Sequence, residues 1–196
     1  MKAGNDAERE AGKAKEASHH LGGLVIREAG PDEAPLIHRL TQAAYEEYRG
    51  VLLPEVGVFR EGVAEVQAAI ERGGAVVALI GGQPAGCARW ALHGSHSTTQ
   101  GPTGTAEPCR GGLYPYVYVG RVAVLPAFRR RGVATALMAW LEDRARQLGA
   151  REIRLGVRTG LPRNRALYER LGYVACGDEK REGYGPIATW MRKRLD

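Results

Sequence analysis

One segment in the second half of the chain reads Val122-Ala123-Val124-Leu125-Pro126-Ala127-Phe128-Arg129-Arg130-Arg131-Gly132-Val133-Ala134-Thr135. Its apolar, β-branched start predicts a strand, Pro126 predicts a turn, and the run from about Arg131 predicts a helix. The first turn of a helix leaves about four N–H groups without partners and carries roughly half a positive charge, which suits a pyrophosphate. Gly132 and Ala134 are small enough for phosphate oxygens to approach the backbone.

Three consecutive arginines, Arg129 to Arg131, stand just before the predicted helix and add fixed positive charge. Guanidinium groups bind phosphates, although here the backbone amides would supply the geometry. The alternative interpretation is that the arginines form a solvated loop. By itself, the segment predicts an anion site and leaves the anion open.

A second pattern begins about 38 residues after Arg129 and reads Leu167-Tyr168-Glu169-Arg170-Leu171-Gly172-Tyr173. Together the two segments resemble the GNAT superfamily of N-acetyltransferases. Arg129 to Ala134 is similar to its Arg/Gln-x-x-Gly-x-Gly/Ala motif, and Leu167 to Tyr173 is similar to its Leu-Tyr-Glu-x-Leu-Gly-Phe signature. The resemblance covers roughly Leu24 to Asp196 and implies the GNAT fold, with acetyl-CoA as cosubstrate.

The resemblance also implies roles for individual residues. The strand would offer backbone groups to the acetyl carbonyl and the pantetheine arm, and the turn would hold the pyrophosphate. Tyr168 would lie near the CoA sulfur as the catalytic acid, with Val124 N–H as the oxyanion donor. The alternative for Tyr168 is a packing role in its helix. The expected cofactor-binding residues are Val122, Ala123, Val124, Arg129, Arg130, Arg131, Gly132, Val133, Ala134, Thr135 and Asn164.

The chain departs from the superfamily pattern at two positions. Many members carry Asn about two turns before the helix tyrosine, where this chain has Leu161. Asn164 lies one turn before Tyr168 on the same helical face, and either reaches the pantetheine amides or belongs to the helix surface. The histone-modifying branch carries a glutamate base on the strand before the pyrophosphate loop, where this chain has Tyr118.

The missing carboxylate bears on the acceptor. A lysine-type amine with a pKa of about 10.4 is almost wholly protonated near neutral pH, whereas an α-amine of about 7.7 to 8.0 is partly neutral. The sequence therefore favours acceptor amines of lower pKa. Glu46 and Glu47 are alternative bases that act through water, or else solvated surface carboxylates. Tyr116 and Tyr118 either pack in the sheet or border the acceptor site.

Hydrophobic periodicity predicts the element order β-α-α-β-β-β-α-β-α-β-β. This order, with the resemblance, predicts a mixed α/β fold: a central, mostly antiparallel sheet of six to seven strands flanked by about four helices. Residues 24–196 are expected to form one GNAT domain with a loop insert at 93–112. Residues 1–23, which lack large apolar residues between Met1 and Leu21, are expected to be a disordered tail.

Charge is distributed unevenly along the chain. The net charge is +6, and residues 121–196 hold 17 basic against 8 acidic side chains. This excess indicates an anionic partner for the second half. Nucleic acid is disfavoured because the arginines are scattered and no RNA-type aromatic motif accompanies them. The nucleotide motifs G-x-x-x-x-G-K-S/T and G-x-G-x-x-G after the first strand are also missing.

No stretch has the length and apolarity of a membrane span or the form of a signal peptide, so a soluble cytoplasmic protein is expected. Cys87, Cys109 and Cys176 are widely spaced and are expected to be reduced thiols. The histidines show no ligand spacing, so no metal is expected.

These observations predict an N-acetyltransferase that transfers an acetyl group from acetyl-CoA to a primary amine, of a small molecule or a protein, by direct attack in a ternary complex. The alternative is a non-catalytic acyl-CoA sensor or scaffold, against which the retained Tyr168 argues. The acceptor amine is not predicted. The resemblance adds the expectation of a homodimer.

Overall fold

A computed structural model of the protein describes residues 19–21, 23–94, 109 and 114–195. Within these residues, eight strands form one sheet in the order β1-β2-β3-β4-β5-β6-β8-β7. The strands are β1 (His19–Leu21), β2 (Leu24–Ala29), β3 (Gly74–Ile80), β4 (Gln83–His93), β5 (Tyr116–Val124), β6 (Glu152–Arg158), β7 (Val174–Arg181) and β8 (Gly185–Arg194). The α-helices are α1 (Ala34–Tyr45), α2 (Val63–Arg72), α3 (Val133–Gln147) and α4 (Pro162–Arg170).

The expected mixed α/β fold with a mostly antiparallel sheet is confirmed, and the helices end near the predicted residues. Helix α3 begins after Gly132 and its C-terminal turn ends at Gly149, where φ is 73°. The first predicted helix, residues 31–48, is divided into a 3-10 turn at Pro31–Glu33, α1, and a second 3-10 turn at Glu46–Tyr48. Helix ends often tighten in this way.

The sheet opens at its centre. Strands β5 and β6 form the one parallel pair among the described strands, and α3 is the crossover that a parallel pair requires. Their pairing runs only from Tyr116 opposite Glu152 to Val119 opposite Leu155. Beyond these residues β5 pairs with β4 and β6 pairs with β8. The C-terminal ends of β5 and β6 therefore separate.

Helices cover both faces of the sheet. One face, which includes Val77 and Cys87, packs under α1 and α2. The opposite face, which includes Val76 and Val119, packs against α3 through residues such as Leu141. Because successive strand residues point to opposite faces of the sheet, each apolar strand contributes side chains to both cores.

The fold begins earlier than the sequence predicts. The backbone of His19–Leu21 pairs with β2 and adds an edge strand to the predicted six or seven. Three residues are too few for periodicity to reveal. Residues 1–18 and 22, and most of the predicted insert at 93–112, lie outside the described residues. His93 itself belongs to β4.

The expectation of three reduced thiols is wrong for two of them. Cys109 and Cys176 form a disulfide across 67 residues of sequence, with Cα atoms 5.1 Å apart. Cys87 is a free thiol whose pKa is raised by burial to about 11. The disulfide joins the segment before β5 to strand β7, and spacing along the chain does not report such proximity.

Close backbone contact between β4 and β5 predicts a stability effect at Gly86. A Cβ at this position would lie 2.5 Å from the carbonyl oxygen of Ala123. Because that oxygen belongs to the β5 backbone, we expect Gly86→Ala to lower the free energy of unfolding by about 1 to 3 kcal/mol. Gly94→Ala is the matched control, since no atom of the described residues, apart from its chain neighbours, lies within 4 Å of its added methyl. Urea unfolding measures both; equal stabilities would contradict this close approach.

Candidate active site

The C-terminal half of β5 has one open edge. A bulge interrupts its pairing with β4 at Arg121, where φ is 55°. Leu125 N–H donates to the carbonyl oxygen of Ala85 at 2.9 Å. The backbone N–H and C=O groups of the odd-numbered residues in this half of β5 therefore point toward β4. Val122 and Val124 consequently direct their backbone groups to the other side, where β6 has separated. These are the two valines that the resemblance selected.

Side chains bind the carbonyl groups on this edge. The Tyr45 hydroxyl donates to the Val122 carbonyl at 3.3 Å, and Arg129 Nε donates to the Val124 carbonyl at 3.2 Å. The Val124 N–H lies on the same edge, beyond the end of the β5–β6 pairing. The edge therefore offers a backbone donor to a ligand in the opening.

The turn after β5 presents further free amides. Arg130 and Gly132 have left-handed backbones, with φ of 59° and 79°. The first bond of α3 runs from Ala136 N–H to the Gly132 carbonyl at 2.9 Å, and the N–H groups of residues 133–135 have no described acceptor. Apart from its chain neighbours, no atom of the described residues lies within 4 Å of the position of a Cβ on Gly132. Three donors and the positive end of a helix thus face open space, which fits a phosphate.

Space beside this helix start extends beyond the turn. A cavity of about 350 Å³ runs along α3 toward β2 and β3. It is lined by Leu24, Ile80, Arg131, Gly132, Thr135, Ala136 and Ala139. The free amides therefore adjoin room for a ligand larger than a phosphate.

The three arginines of the turn differ in their contacts. Arg129 Nη2 binds the Glu47 carboxylate at 2.5 Å and the Ala44 carbonyl at 3.1 Å, which ties the end of α1 to β5. Arg130 and Arg131 are exposed. The side chain of Arg129 is thus engaged within the fold, and its backbone N–H donates to the Pro126 carbonyl at 3.3 Å. Its expected contact with the cofactor stays a prediction. For Arg130 and Arg131, phosphate binding and a place in a solvated loop both stay predictions.

Tyr168 lies in the core beneath α4. Its side chain is 8% exposed and packs edge to face on Tyr173 at 5.8 Å. Burial raises the pKa of its hydroxyl, and the neighbouring Tyr45 and Tyr118 raise it further. Tyr168 is therefore protonated at neutral pH. Asn164, one turn earlier, is exposed, and its two interpretations stay predictions.

Both candidate bases at the end of α1 are held by arginines. Glu46 pairs with Arg49 at 2.9 Å, and Glu47 pairs with Arg129. The hydrogen bond from Arg49 lowers the pKa of Glu46, and that from Arg129 lowers the pKa of Glu47. A lowered pKa makes a carboxylate a weaker base, which favours the surface interpretation of both residues.

Tyr118 borders the opening between β5 and β6. Its ring centroid lies 5.4 Å from that of Trp190, and its hydroxyl oxygen would lie 3.8 Å from a Cβ on Gly156. Gly156 follows the last residue of β6 that pairs with β5. Tyr116, further from the opening, stacks on His93 with centroids 4.9 Å apart.

Sequence reasoning missed an ionic cluster beside the open edge. The Glu61 carboxylate accepts hydrogen bonds from Arg121 at 2.5 Å and Arg89 at 2.6 Å. Burial by itself would raise the pKa of Glu61, but the hydrogen bond and charge of Arg121, with the charge of Arg89, lower it. Each arginine interrupts an apolar strand, and that interruption is the signal that could have revealed the cluster.

Neither a metal-binding group nor a membrane-spanning helix occurs in the described part of the chain. No three His, Cys, Asp or Glu side chains there form a group that could hold a metal ion. No helix there is both long and apolar enough to cross a membrane.

Comparison with known proteins gives a family and a fold. A sequence model described as the acetyltransferase (GNAT) family matches residues 37–173. No curated protein matches the sequence. Similar solved structures include Ard1 from Thermoplasma volcanium, with a TM-score of 0.64 and 20% identity over 89% of this chain and 99% of that chain.

Two other solved structures extend the comparison. The yncA protein from Salmonella typhimurium, solved with its cofactor acetyl-CoA, has a TM-score of 0.64 and 19% identity over 89% of this chain and 95% of its own. Ribosomal-protein-alanine N-acetyltransferase from Brucella melitensis has a TM-score of 0.62 and 19% identity over 87% and 99%. At such identities the similarity shows the fold.

The contacts of Arg129 predict a pH-dependent stability. We expect Arg129→Met to lower the free energy of unfolding by about 1 to 2 kcal/mol at pH 7, because an ion pair and two hydrogen bonds are lost. The lowered pKa of Glu47 means that the ion pair stabilises the fold above the ordinary carboxyl pKa, and that this stabilisation is lost as pH falls through the folded-state pKa. The deficit of the variant should therefore shrink between about pH 5 and pH 3.

Arg130→Met is the control for this measurement, because Arg130 is exposed in the same turn. It should change the free energy of unfolding by less than about 0.5 kcal/mol at either pH. Urea unfolding at several pH values measures both variants. A pH-independent deficit for Arg129→Met would contradict the pairing with Glu47.

Proposed function

Because the chain belongs to the acetyltransferase (GNAT) family, we propose that it is an N-acetyltransferase that transfers the acetyl group of acetyl-CoA to a primary amine by direct attack in a ternary complex. One observation carries the proposal: the open edge of β5 at Val122 and Val124 leads directly into the free amides at the start of α3. A thioester at the edge and a pyrophosphate at the helix start would be two parts of one ligand, joined by the pantetheine arm of acetyl-CoA.

The donor site is built from backbone groups of a contiguous segment. The amides of residues 133–135 would hold the pyrophosphate, with Arg130 and Arg131 adding charge. Val122 and Val124 would bind the pantetheine arm and the acetyl carbonyl. The open space beside Gly132 supports this assignment, since a phosphate can approach the amides there without displacing a side chain.

Acetyl-CoA supplies an acetyl thioester, at whose carbonyl carbon the C–N bond forms and the C–S bond breaks, while the amine gives up one proton and the sulfur takes up one. The Val124 N–H would donate to the carbonyl oxygen as negative charge develops on it and would stabilise that charge. A backbone donor already fixed in a strand needs no reorganisation during the reaction.

Tyr168 is proposed as the residue that donates its hydroxyl proton toward the departing sulfur. Its raised pKa means that the hydroxyl carries the proton that a donor needs, although it also makes the hydroxyl a weaker acid. A thiol has a pKa of about 8.5, below that of a tyrosine, so the donation helps only where the two groups are in contact. The proximity of Tyr45 and Tyr118, which both raise the pKa of Tyr168, supports its place beside the opening.

Tyr168→Phe tests the proposal directly. We expect the turnover number for CoA release from acetyl-CoA, measured over a panel of amines, to fall about 100-fold or more. The affinity for acetyl-CoA, measured by calorimetry, should change little because the backbone cradle is intact. Tyr114→Phe is the matched control: this exposed tyrosine lies before β5 and should retain full activity.

Two outcomes would contradict the enzyme or the residue. Tight binding of acetyl-CoA without turnover on any amine would favour a non-catalytic acyl-CoA sensor or scaffold. Equal turnover by Tyr168→Phe and the wild-type protein would assign Tyr168 to packing in its helix.

A further inference from the structure

The side chains of Glu61, Arg89 and Arg121 form one cluster under the end of α1. Both Nε and Nη2 of Arg121 donate to the Glu61 carboxylate, at 3.2 and 2.5 Å, and Arg89 Nη2 donates to its other oxygen at 2.6 Å. The side chains of Glu61, Arg89 and Arg121 are 24%, 11% and 29% exposed. The cluster is therefore largely shielded from water, and its charges act strongly on whatever lies beside it.

The cluster holds an excess of positive charge. Two guanidinium groups share one carboxylate, which leaves a net charge of +1. Three guanidinium nitrogens donate to no residue in the described part of the chain: Nη1 of Arg121, and Nε and Nη1 of Arg89. Guanidinium N–H groups held in a fixed plane are suited to bind a carboxylate.

The position of the cluster connects it to the open edge of β5. Arg121 immediately precedes Val122 at the bulge, and consecutive Cα atoms are only about 3.8 Å apart. The Tyr45 hydroxyl donates to the Val122 carbonyl, and the charges of Arg121 and Arg89 both act on this tyrosine. A small molecule that places its amine at the edge would thus hold a second group within reach of the guanidinium groups.

Described carboxylates near the edge are engaged. Glu46 and Glu47 are paired with arginines, and Glu61 lies between two of them. Glu179 is the contrasting case, because its buried Oε1 has no hydrogen-bond partner among the described residues. It belongs to β7, three strand spacings from β5 and so about 14 Å away. The carboxylates of Glu46, Glu47 and Glu61 are thus each held by an arginine, whereas the cluster keeps guanidinium N–H groups for an anion.

We propose that the acceptor amine carries a carboxylate, as a free amino acid or a short peptide does, and that this carboxylate docks on Arg121 and Arg89 of the cluster. This inference rests on the proposed function and names its substrate class. It also bears on the missing base, because a positive cluster beside a bound ammonium disfavours its charged form and so helps to produce the neutral nucleophile.

Matched acceptor pairs test the substrate class. CoA release is measured for amino acids against their amides, and for dipeptides with a free against an amidated C-terminus. We expect the acid of at least one pair to have a kcat/KM about 10- to 100-fold above its amide, the effect of one or two charge-assisted hydrogen bonds. Amidation also lowers the pKa of the α-amine, so a preference for the acid cannot arise from amine basicity.

Two variants test the residues. Arg121→Gln should raise the KM for the acid about 10-fold or more and leave that for the amide unchanged. Glu61→Gln frees the guanidinium groups and should lower the KM for the acid, the opposite of the effect expected of a residue that binds a cation. Arg72→Gln, an exposed arginine at the end of α2, is the control and should match the wild-type enzyme.

Inhibition of the wild-type enzyme by acetate tests the inference without any variant, and so still applies if either variant unfolds. Acetate should compete with the acceptor and not with acetyl-CoA. Equal kcat/KM for acids and amides, a preference for diamines, or no competition by acetate would overturn the inference and leave the N-acetyltransferase intact. No CoA release with any amine would instead overturn the proposed function.

Discussion

A strand that loses a neighbour must find other partners for its backbone, and this requirement organises the centre of the fold. Strand β5 parts from β6 after Val119. Tyr45 and Arg129 take the carbonyl groups of Val122 and Val124, and in doing so they tie α1 to the sheet. The N–H groups on that edge are left for a ligand. An open strand edge is usually an aggregation risk, but here it lies inside an opening that helices flank on both faces.

The arginines around the open edge of β5 serve separate purposes. Arg129 is neutralised by Glu47 and braces the fold, whereas Arg130 and the free amides of α3 remain open to an anion. Arg121 and Arg89 form a second concentration of charge on the other side of the open edge, with Glu61 between them. Both ends of the opening are thus positive. The proposed polyanionic donor would account for one end, and the other end requires a different explanation.

Sequence patterns predicted the long elements well because burial imposes a period on them. Helix α3 and strand β5 carry apolar stripes, and glycines mark where α2 and α3 stop. Strand β1 has three residues, too few to display a period, so its pairing with β2 was missed. The link between Cys109 and Cys176 was missed because 67 residues separate them and only the assembled sheet brings them together.

The two halves of the candidate site differ in the same way in how far the sequence predicts them. Backbone groups of one contiguous segment, residues 122–135, would form the donor half that we propose, and a sequence motif can represent such a segment. Glu61, Arg89 and Arg121 come from three separate segments, so no local pattern contains them. Two partly buried guanidinium groups repel each other, and well-packed apolar residues of similar size often give more stability than a buried ionic cluster. This fold nevertheless keeps the cluster, at a cost in stability, beside its open edge. Proteins usually depart from the rules of stable packing at functional sites, so the position of the cluster argues for a functional role.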